Sequence, residues 1–463
     1  MLSCRLKILD MGNTFYKFYH TTLLLGSAFV AAAIQPTAPP LGFNQTFQQS
    51  WALYSPYFAA ADYVPPPVGC NVTQVNLLQR HGARYPTAST GEQLQKSVAK
   101  LQSADISSDP SLSFLTNFTY ALGTDVLVPY GAAQSFDAGQ AHFARYGSLI
   151  NDAMLPFVRA SSSERVVESA LNWTAGNSGD VNGISSLSFA YASNQRYKPA
   201  LSVILSESGN DTLDNSMCPN AGSSSNETTQ WLSVFAPSIA DRLNAAAPGA
   251  NLTNSDILNI MSMCPYETVA NEAPSPFCDL FSLEEFDSFG YYEDVKDYYG
   301  NGYGQQLGPV QGVGYVNELL ARLTGQPVQD ETQTNHTLDS SPATFPLNRT
   351  FYADFSHDNE MISIYSAIGL FLQPHALDPT QPDSERTWID YKMVPFSGRM
   401  VTEKLECAGT LTGDYVRILV SDVVQPLAFC GDTGDGLCAL RSFVESQQYA
   451  RLDGEGDWEL CSS

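Results

Sequence analysis

The sequence predicts an α/β protein with long helical stretches, and three observations lead there. A short apolar run passes into a small polar loop and then into a helical pattern at three separate places. Helical patterns dominate between about 90 and 150 and again from 230 to 325, as in Val316, Leu319, Leu320 and Leu323, whose spacing keeps them on one helix face. The chain has 463 residues, 43% hydrophobic and 15% charged, which suits a globular protein with a sizeable core and two or three domains.

The first strand-loop-helix unit is Val72 to Leu78, then RHGARYPT at 80–87, then a helix from about Gly91. The second is Pro156 to Val158, then RASSSER at 159–165, then Val166 to Trp173. Ser161 and Glu164 have capping-box spacing, which predicts a helix start in that loop. The third is Thr350 to Phe355, then SHDN at 356–359, then Met361 to Leu370. Ligands of open α/β sheets bind beyond the carboxyl ends of the strands, so these three loops are candidates to converge on one site. Residues 34–70, rich in proline, aromatics and glutamine, read as an extended arm laid on the surface. The polar stretches Asn220 to Thr229 and Gln329 to Ser341 read as exposed loops.

Residues 1–33 read as a secretory leader: Arg5, Lys7 and Lys17 form a basic region, Leu23 to Val30 an apolar run, and Ala31 to Ala33 a cleavage zone. The apolar run is shorter than the ~20 residues a membrane span needs, and no other segment qualifies. Beyond the leader stand eight cysteines, Cys70, Cys218, Cys264, Cys278, Cys407, Cys430, Cys438 and Cys461; an even set in an exported chain predicts four disulfides. None has the close pair spacing of a zinc site. Sequons at Asn44, Asn71, Asn117, Asn172, Asn210, Asn226, Asn251, Asn335 and Asn348 predict N-linked glycans. A formal charge of −25 argues against nucleic acid or an anionic membrane as partner, since either would repel this surface.

The candidate chemistry starts at the first loop. Arg80 and Arg84 flank His81, and a guanidinium is a planar fork that holds two phosphate oxygens at once. A neutral imidazole between two such forks can attack phosphorus and carry the phosphoryl group covalently. In isolation an Arg-His pair is more often a solvated turn. The longer pattern R-H-G-x-R-x-P fixes five residue types and would arise by chance roughly once in ten thousand chains of this length.

RHGARYPT resembles the signature of the histidine acid phosphatases, and its Tyr-Pro-Thr ending is similar to that of fungal phytases. The stretches at 157–167, 302–323, 352–362 and 395–407 carry the resemblance to nearly the whole chain after about residue 65, with the basidiomycete type most similar. The resemblance implies an α/β sandwich built from both ends of the chain, with a mostly helical domain inserted. On that pattern 34–90 holds the arm and the nucleophile loop, 91–150 a helical insert, 151–210 more of the α/β domain, 211–325 the helical domain, and 326–463 the rest of the α/β domain with the acid-donor loop.

The resemblance also implies roles. His81 is the nucleophile that becomes phosphohistidine, and Asp358 is the acid that protonates the leaving alkoxide. Arg80, Arg84, Arg165 and His357 hold the transferring phosphate, with Arg159 the rival of Arg165. It implies the disulfides Cys70–Cys407, Cys218–Cys461, Cys264–Cys278 and Cys430–Cys438. Physically, fixed cations aimed at the equatorial oxygens are the main lever on phosphoryl transfer, so no metal or other cofactor is required. His357 and Asp358 taken alone could equally be a helix-capping pair. His142, His336 and His375 read as solvated.

The substrate implied is phytate, hydrolysed stepwise. Lysines are sparse, and Lys96, Lys296 and Asn359 are the candidates to touch outer phosphates, with Lys296 otherwise a surface residue paired to Asp294 or Asp297. The thin lysine set supports broad acid phosphatase specificity as the alternative. A catalytically inactive secreted polyanion-binding glycoprotein is the third reading, and a complete motif set argues against it.

Overall fold

The computed structural model describes residues 38–107, 109–151, 153–176, 201–431 and 434–462. The leader lies outside the described residues. Among them, one mixed sheet orders its strands β3-β2-β4-β1-β5-β6-β7, with β8 also on β6. The strands are β1 (Cys70–Arg80), β2 (Phe157–Ser161), β3 (Val203–Leu205), β4 (Phe351–Ser356), β5 (Arg399–Cys407), β6 (Gly413–Val420), β7 (Val423–Val424) and β8 (Cys438–Ala439). β1 pairs in parallel with β4 and antiparallel with β5, and β4 pairs in parallel with β2. Loops after β2, β4 and β1 therefore leave the same edge side by side.

The helices are α1 (Gln45–Gln49), α2 (Ala88–Gln102), α3 (Pro129–Tyr146), α4 (Glu164–Gly176), α5 (Ser225–Ala246), α6 (Asn254–Asn271), α7 (Leu283–Gly300), α8 (Val313–Thr324), α9 (His336–Asp339) and α10 (Asp358–Ile368), besides shorter ones near the C-terminus. Strand side chains alternate between faces, so Leu77, Phe351, Ala353 and Phe355 join one apolar cluster with Val166, Ala170 and Trp173 of α4 and Ala138 of α3. Leu78, Met400, Val416 and Ile418 face the other way, into the larger cluster formed with α2 and α5 through α8. With helices on both faces, β4 is buried along its whole length and β1 from Gln74 onward, as parallel strands in α/β proteins are. Disulfides join Cys70 to Cys407 across β1 and β5, Cys218 to Cys461, Cys264 to Cys278, and Cys430 to Cys438. Among the described residues no helix is long and apolar enough to cross a membrane.

Several expectations are corrected. The arm does not simply lie extended on the surface. It folds into α1 and a 3-10 turn at Ala52–Tyr54, and Trp51, Ala52 and Leu53 are buried in the main core. Its aromatic residues outweigh its prolines. The 220–229 stretch is not all loop, since α5 starts at Ser225. The 329–341 stretch is not exposed throughout: Thr332, Gln333 and Thr334 are buried, and Asp330 gathers donors from Asn317, Thr332 and Thr334. Ser161 does not cap α4. It is still in β2, and its hydroxyl donates to Glu207 and Asp211. His142 is buried, not solvated, and its Nδ1 accepts from the Trp173 indole at 2.9 Å.

Candidate active site

Each of the three loops is fixed by its neighbours. His81 N–H donates to the Ser356 carbonyl at 3.1 Å, and Ser397 N–H donates to the His81 carbonyl at 3.0 Å. Gly82 N–H donates to Ser169 Oγ of α4, and Ala83 N–H to Gln134 Oε1 of α3. A Cβ on Gly82 would run into the Gly131 carbonyl of α3, so glycine is what lets the loop approach this helix. Thr87 then caps α2 by accepting from Thr90 N–H, which starts that helix three residues before Gly91.

His81 is fully buried, and its Nδ1 lies 2.8 Å from the Gly82 carbonyl. A carbonyl only accepts, so Nδ1 carries the hydrogen and Nε2 keeps its lone pair. Among the described residues Nε2 itself has no partner. Burial first, then Arg80, Arg84, Arg165 and His357, hold the imidazole well below the ordinary histidine range. The His81 imidazole is thus held toward its neutral form.

Arg80, at the end of β1, is anchored by the carbonyls of Leu53 at 2.5 Å and Val394 at 2.7 Å, and lies over the Phe396 ring. Its Nη2 donates to Asp358 Oδ2 at 3.0 Å. Arg84 Nη1 donates to the Tyr85 carbonyl. Arg165, in the first turn of α4, donates through Nη2 to His357 Nδ1 at 3.3 Å, and the Asp125 carboxylate is no closer than 4.0 Å. The Nε–H groups of Arg80, Arg84 and Arg165 are all buried without an acceptor among the described residues. Buried donors are nearly always satisfied, so three orphans beside a bare imidazole nitrogen describe a site shaped for an anion.

His357 sits at the N-cap of α10 with its ring turned away from the helix, so it caps nothing. Its Nε2 is 3.0 Å from Glu207 Oε1, and its ring centre is 5.7 Å from that of His81. Asp358 opens α10. Burial raises its carboxyl, but Arg80, Arg84, Lys296 and His357 pull it down to about 2. The capping reading of this pair is therefore corrected: both side chains point at the arginine cluster.

Other candidates stand further out. Arg159 is not a phosphate ligand: it is buried and spent on Glu318 at 2.5 Å and Asp354 at 2.8 Å. Lys296 pairs with Glu293 at 2.6 Å, not with Asp294 or Asp297, and is 39% exposed. Asp297 is fully buried with no donor to either oxygen among the described residues, and burial, ahead of its charged neighbours, pushes it up to about 7. Asn359 accepts from Asn301 at 3.2 Å. Lys96 projects into solvent beside Glu92. His336 and His375 are both exposed at the surface.

Glu207 is the site residue that sequence reasoning missed. It lies just beyond β3 in a Ser-rich segment, and no local motif marks it. Its carboxylate accepts from Ser161 Oγ, Ser163 N–H and Ser163 Oγ as well as facing His357. Glu207, Asp214 and His357 bring ligand-type atoms within 4.8 Å of one another, but these serine donors make the group a hydrogen-bond network.

Residues 71–421 match the model of the histidine phosphatase superfamily (branch 2). The chain belongs to that family. This histidine phosphatase is 39% identical over 437 residues to Phytase A of Aspergillus awamori, covering 91% of each chain. It is 38% identical over 459 residues to Phytase A of Arthroderma benhamiae, covering 95% of this chain and 97% of that one. Its fold is that of the D. castellii phytase crystal structure, at a TM-score of 0.71 and 24% identity, over 90% of this chain and 87% of the other.

Proposed function

We propose that the protein is a secreted phytase that hydrolyses phosphomonoesters stepwise through a phosphohistidine at His81. The observation that carries this is the neutral His81 with its free Nε2 lone pair among arginine donors that lack acceptors. Arg80, Arg84 and Arg165 hold the equatorial oxygens, where transition-state charge spreads. Nε2 of His81 bonds to phosphorus as the ester P–O bond breaks, and Asp358 gives its proton to the departing alkoxide. Water then attacks the phosphohistidine, returning a proton to Asp358 and releasing phosphate.

Asp358 is ionised at about 2 and above before substrate arrives. An incoming phosphate offsets the arginine field that holds it there, so substrate itself raises Asp358 toward its acid form. Activity is accordingly favoured in acid. Phytate as substrate is supported by the relatives named Phytase A. Export is supported by the leader and the four disulfides, and glycosylation by the exposed sequon asparagines Asn44, Asn71, Asn117, Asn210, Asn226, Asn251 and Asn348.

A second reading, broad acid phosphatase specificity, is favoured by the lysines: Lys296 is held by Glu293 and Lys100 by Asp256, and Lys96 faces solvent. Comparing kcat/KM for phytate and p-nitrophenyl phosphate across acidic pH, with His81→Ala as control, separates the two. A marked phytate preference is expected. Equal or better turnover of the small ester would give the broad reading, and activity surviving in the control would overturn the mechanism.

A further inference from the structure

His357 poses a problem of hydrogen-bond sign. An arginine only donates, so its contact with Arg165 Nη2 makes Nδ1 an acceptor, and Nε2 carries the hydrogen toward Glu207. A phosphate oxygen also only accepts. His357 in this neutral form has nothing to offer it. To bind phosphate the ring must carry hydrogens on both nitrogens, Nε2–H to Glu207 and Nδ1–H to the phosphate.

We propose that Glu207 is a positioning residue of this site: it fixes the His357 ring and supplies the counter-charge that lets an imidazolium stand among arginines and donate Nδ1–H to the phosphate. The inference rests on the phosphomonoesterase reading and deepens it. The proton comes from the acidic medium and is not consumed, so no bond is made or broken in this step.

The surroundings show why a dedicated anion is needed. The groups facing His357 are Arg165 from α4, His81 from the nucleophile loop, Asp358 beside it on α10, and Glu207 and Asp214 from the segment after β3. Asp358 is committed to Arg80 and to the leaving group. Among the described residues Glu207 alone reaches Nε2 at hydrogen-bond distance. Its own position is over-determined: Ser161 and Ser163 donate to its oxygens, and Ser162 Oγ accepts from its backbone N–H. The hydrogen bond from His357 first, then those from Ser163 and Ser161, outweigh partial burial and hold its carboxyl well below the ordinary glutamate range. Glu207 is therefore charged throughout the acid range where the enzyme works. A carboxylate gripping the far nitrogen of a functional histidine is a common way to set its orientation and charge.

The test is Glu207→Gln, which keeps a similar shape and removes the charge. The inhibition constant of inorganic phosphate is measured from pH 3 to 7, with p-nitrophenyl phosphate turnover as the readout. This avoids dependence on Asp358, because phosphate binding needs no leaving-group proton. In the variant, phosphate should bind roughly tenfold more weakly at acid pH, and its pH profile should differ from that of wild type. Superimposable profiles would overturn the proposal. If Glu207→Gln does not fold, wild-type protein labelled with 15N-histidine carries the test. With phosphate bound at acid pH, His357 must show hydrogens on both ring nitrogens, and a neutral ring would overturn the proposal. A wild type that turns over no phosphomonoester would instead defeat the underlying functional reading.

Discussion

Arg159 and Arg165 stand on either side of one loop, the first in β2 and the second in the first turn of α4, and their surroundings differ in kind. Arg159 is buried with Glu318 and Asp354, and Arg322 closes the group by a second bond to Asp354 at 2.5 Å. That cluster of two cations and two anions is neutral and largely satisfied. Around Arg165 the pairing is looser: the nearest carboxylate, Asp125, stands 4.0 Å away, Asp358 bonds Arg80, and the imidazole of His81 is held toward its neutral form. Charge that is closed on itself holds a fold together. Charge left open, at a cost in stability, waits for a ligand.

Mutation separates the two clusters. Arg159→Ala should have the largest effect on stability, about 3–5 kcal/mol, because it strands the buried Glu318 and leaves Asp354 with Arg322 alone; urea unfolding measures it. Activity per folded molecule should survive. Arg165→Ala should do the reverse, cutting kcat/KM by about 10²–10³-fold while unfolding free energy moves by less than about 1 kcal/mol. If both variants lose stability alike, the distinction between closed and open clusters fails.

Asp358→Asn sharpens the chemistry of the open cluster. Loss of the general acid should slow phytate, whose leaving group is an alkoxide, by about 10²-fold or more. It should slow p-nitrophenyl phosphate much less, because that leaving group departs without a proton. Equal losses on both substrates would remove Asp358 from its role.

The smallest expected effect concerns His142, which burial, then Arg399 and Arg145, hold well below the ordinary range. The unfolded chain binds a proton near pH 6.5 that the folded chain refuses. Stability is therefore full above that pH and falls as pH drops, by at most about 1.4 kcal/mol per unit from this group, until the folded value is reached. Replacing His142 with Gln should flatten that slope in thermal unfolding between pH 6.5 and 4.

The contiguous parts of the site were legible in the sequence because one loop holds them. RHGARYPT and SHDN each place several functional atoms at the end of a strand, where the chain turns toward the same sheet edge. The rest was written in pairings across long separations. Glu207 meets His357 only because β2, β3 and β4 are neighbours in the sheet, and a glutamate between serines gives no sign of that. The closed cluster left a fainter trace: Arg159 in FVRAS, Arg322 in NELLARL and Asp354 in YADFS are charges inside apolar elements, and such charges must pair when buried. The early segment misled because its prolines suggested a surface arm, whereas Phe43 and Phe47 each pack edge to face on Trp51, and Phe47 on Phe286.

The most direct test of the account is to trap the intermediate. Enzyme mixed with a phosphate-labelled monoester at acid pH is quenched within milliseconds under alkaline conditions, where phosphohistidine survives, and the labelled peptide is mapped. The account predicts label on His81, in the peptide containing RHGARYPT, and none in His81→Ala. Full turnover with no covalent label, or label on another residue, would contradict it.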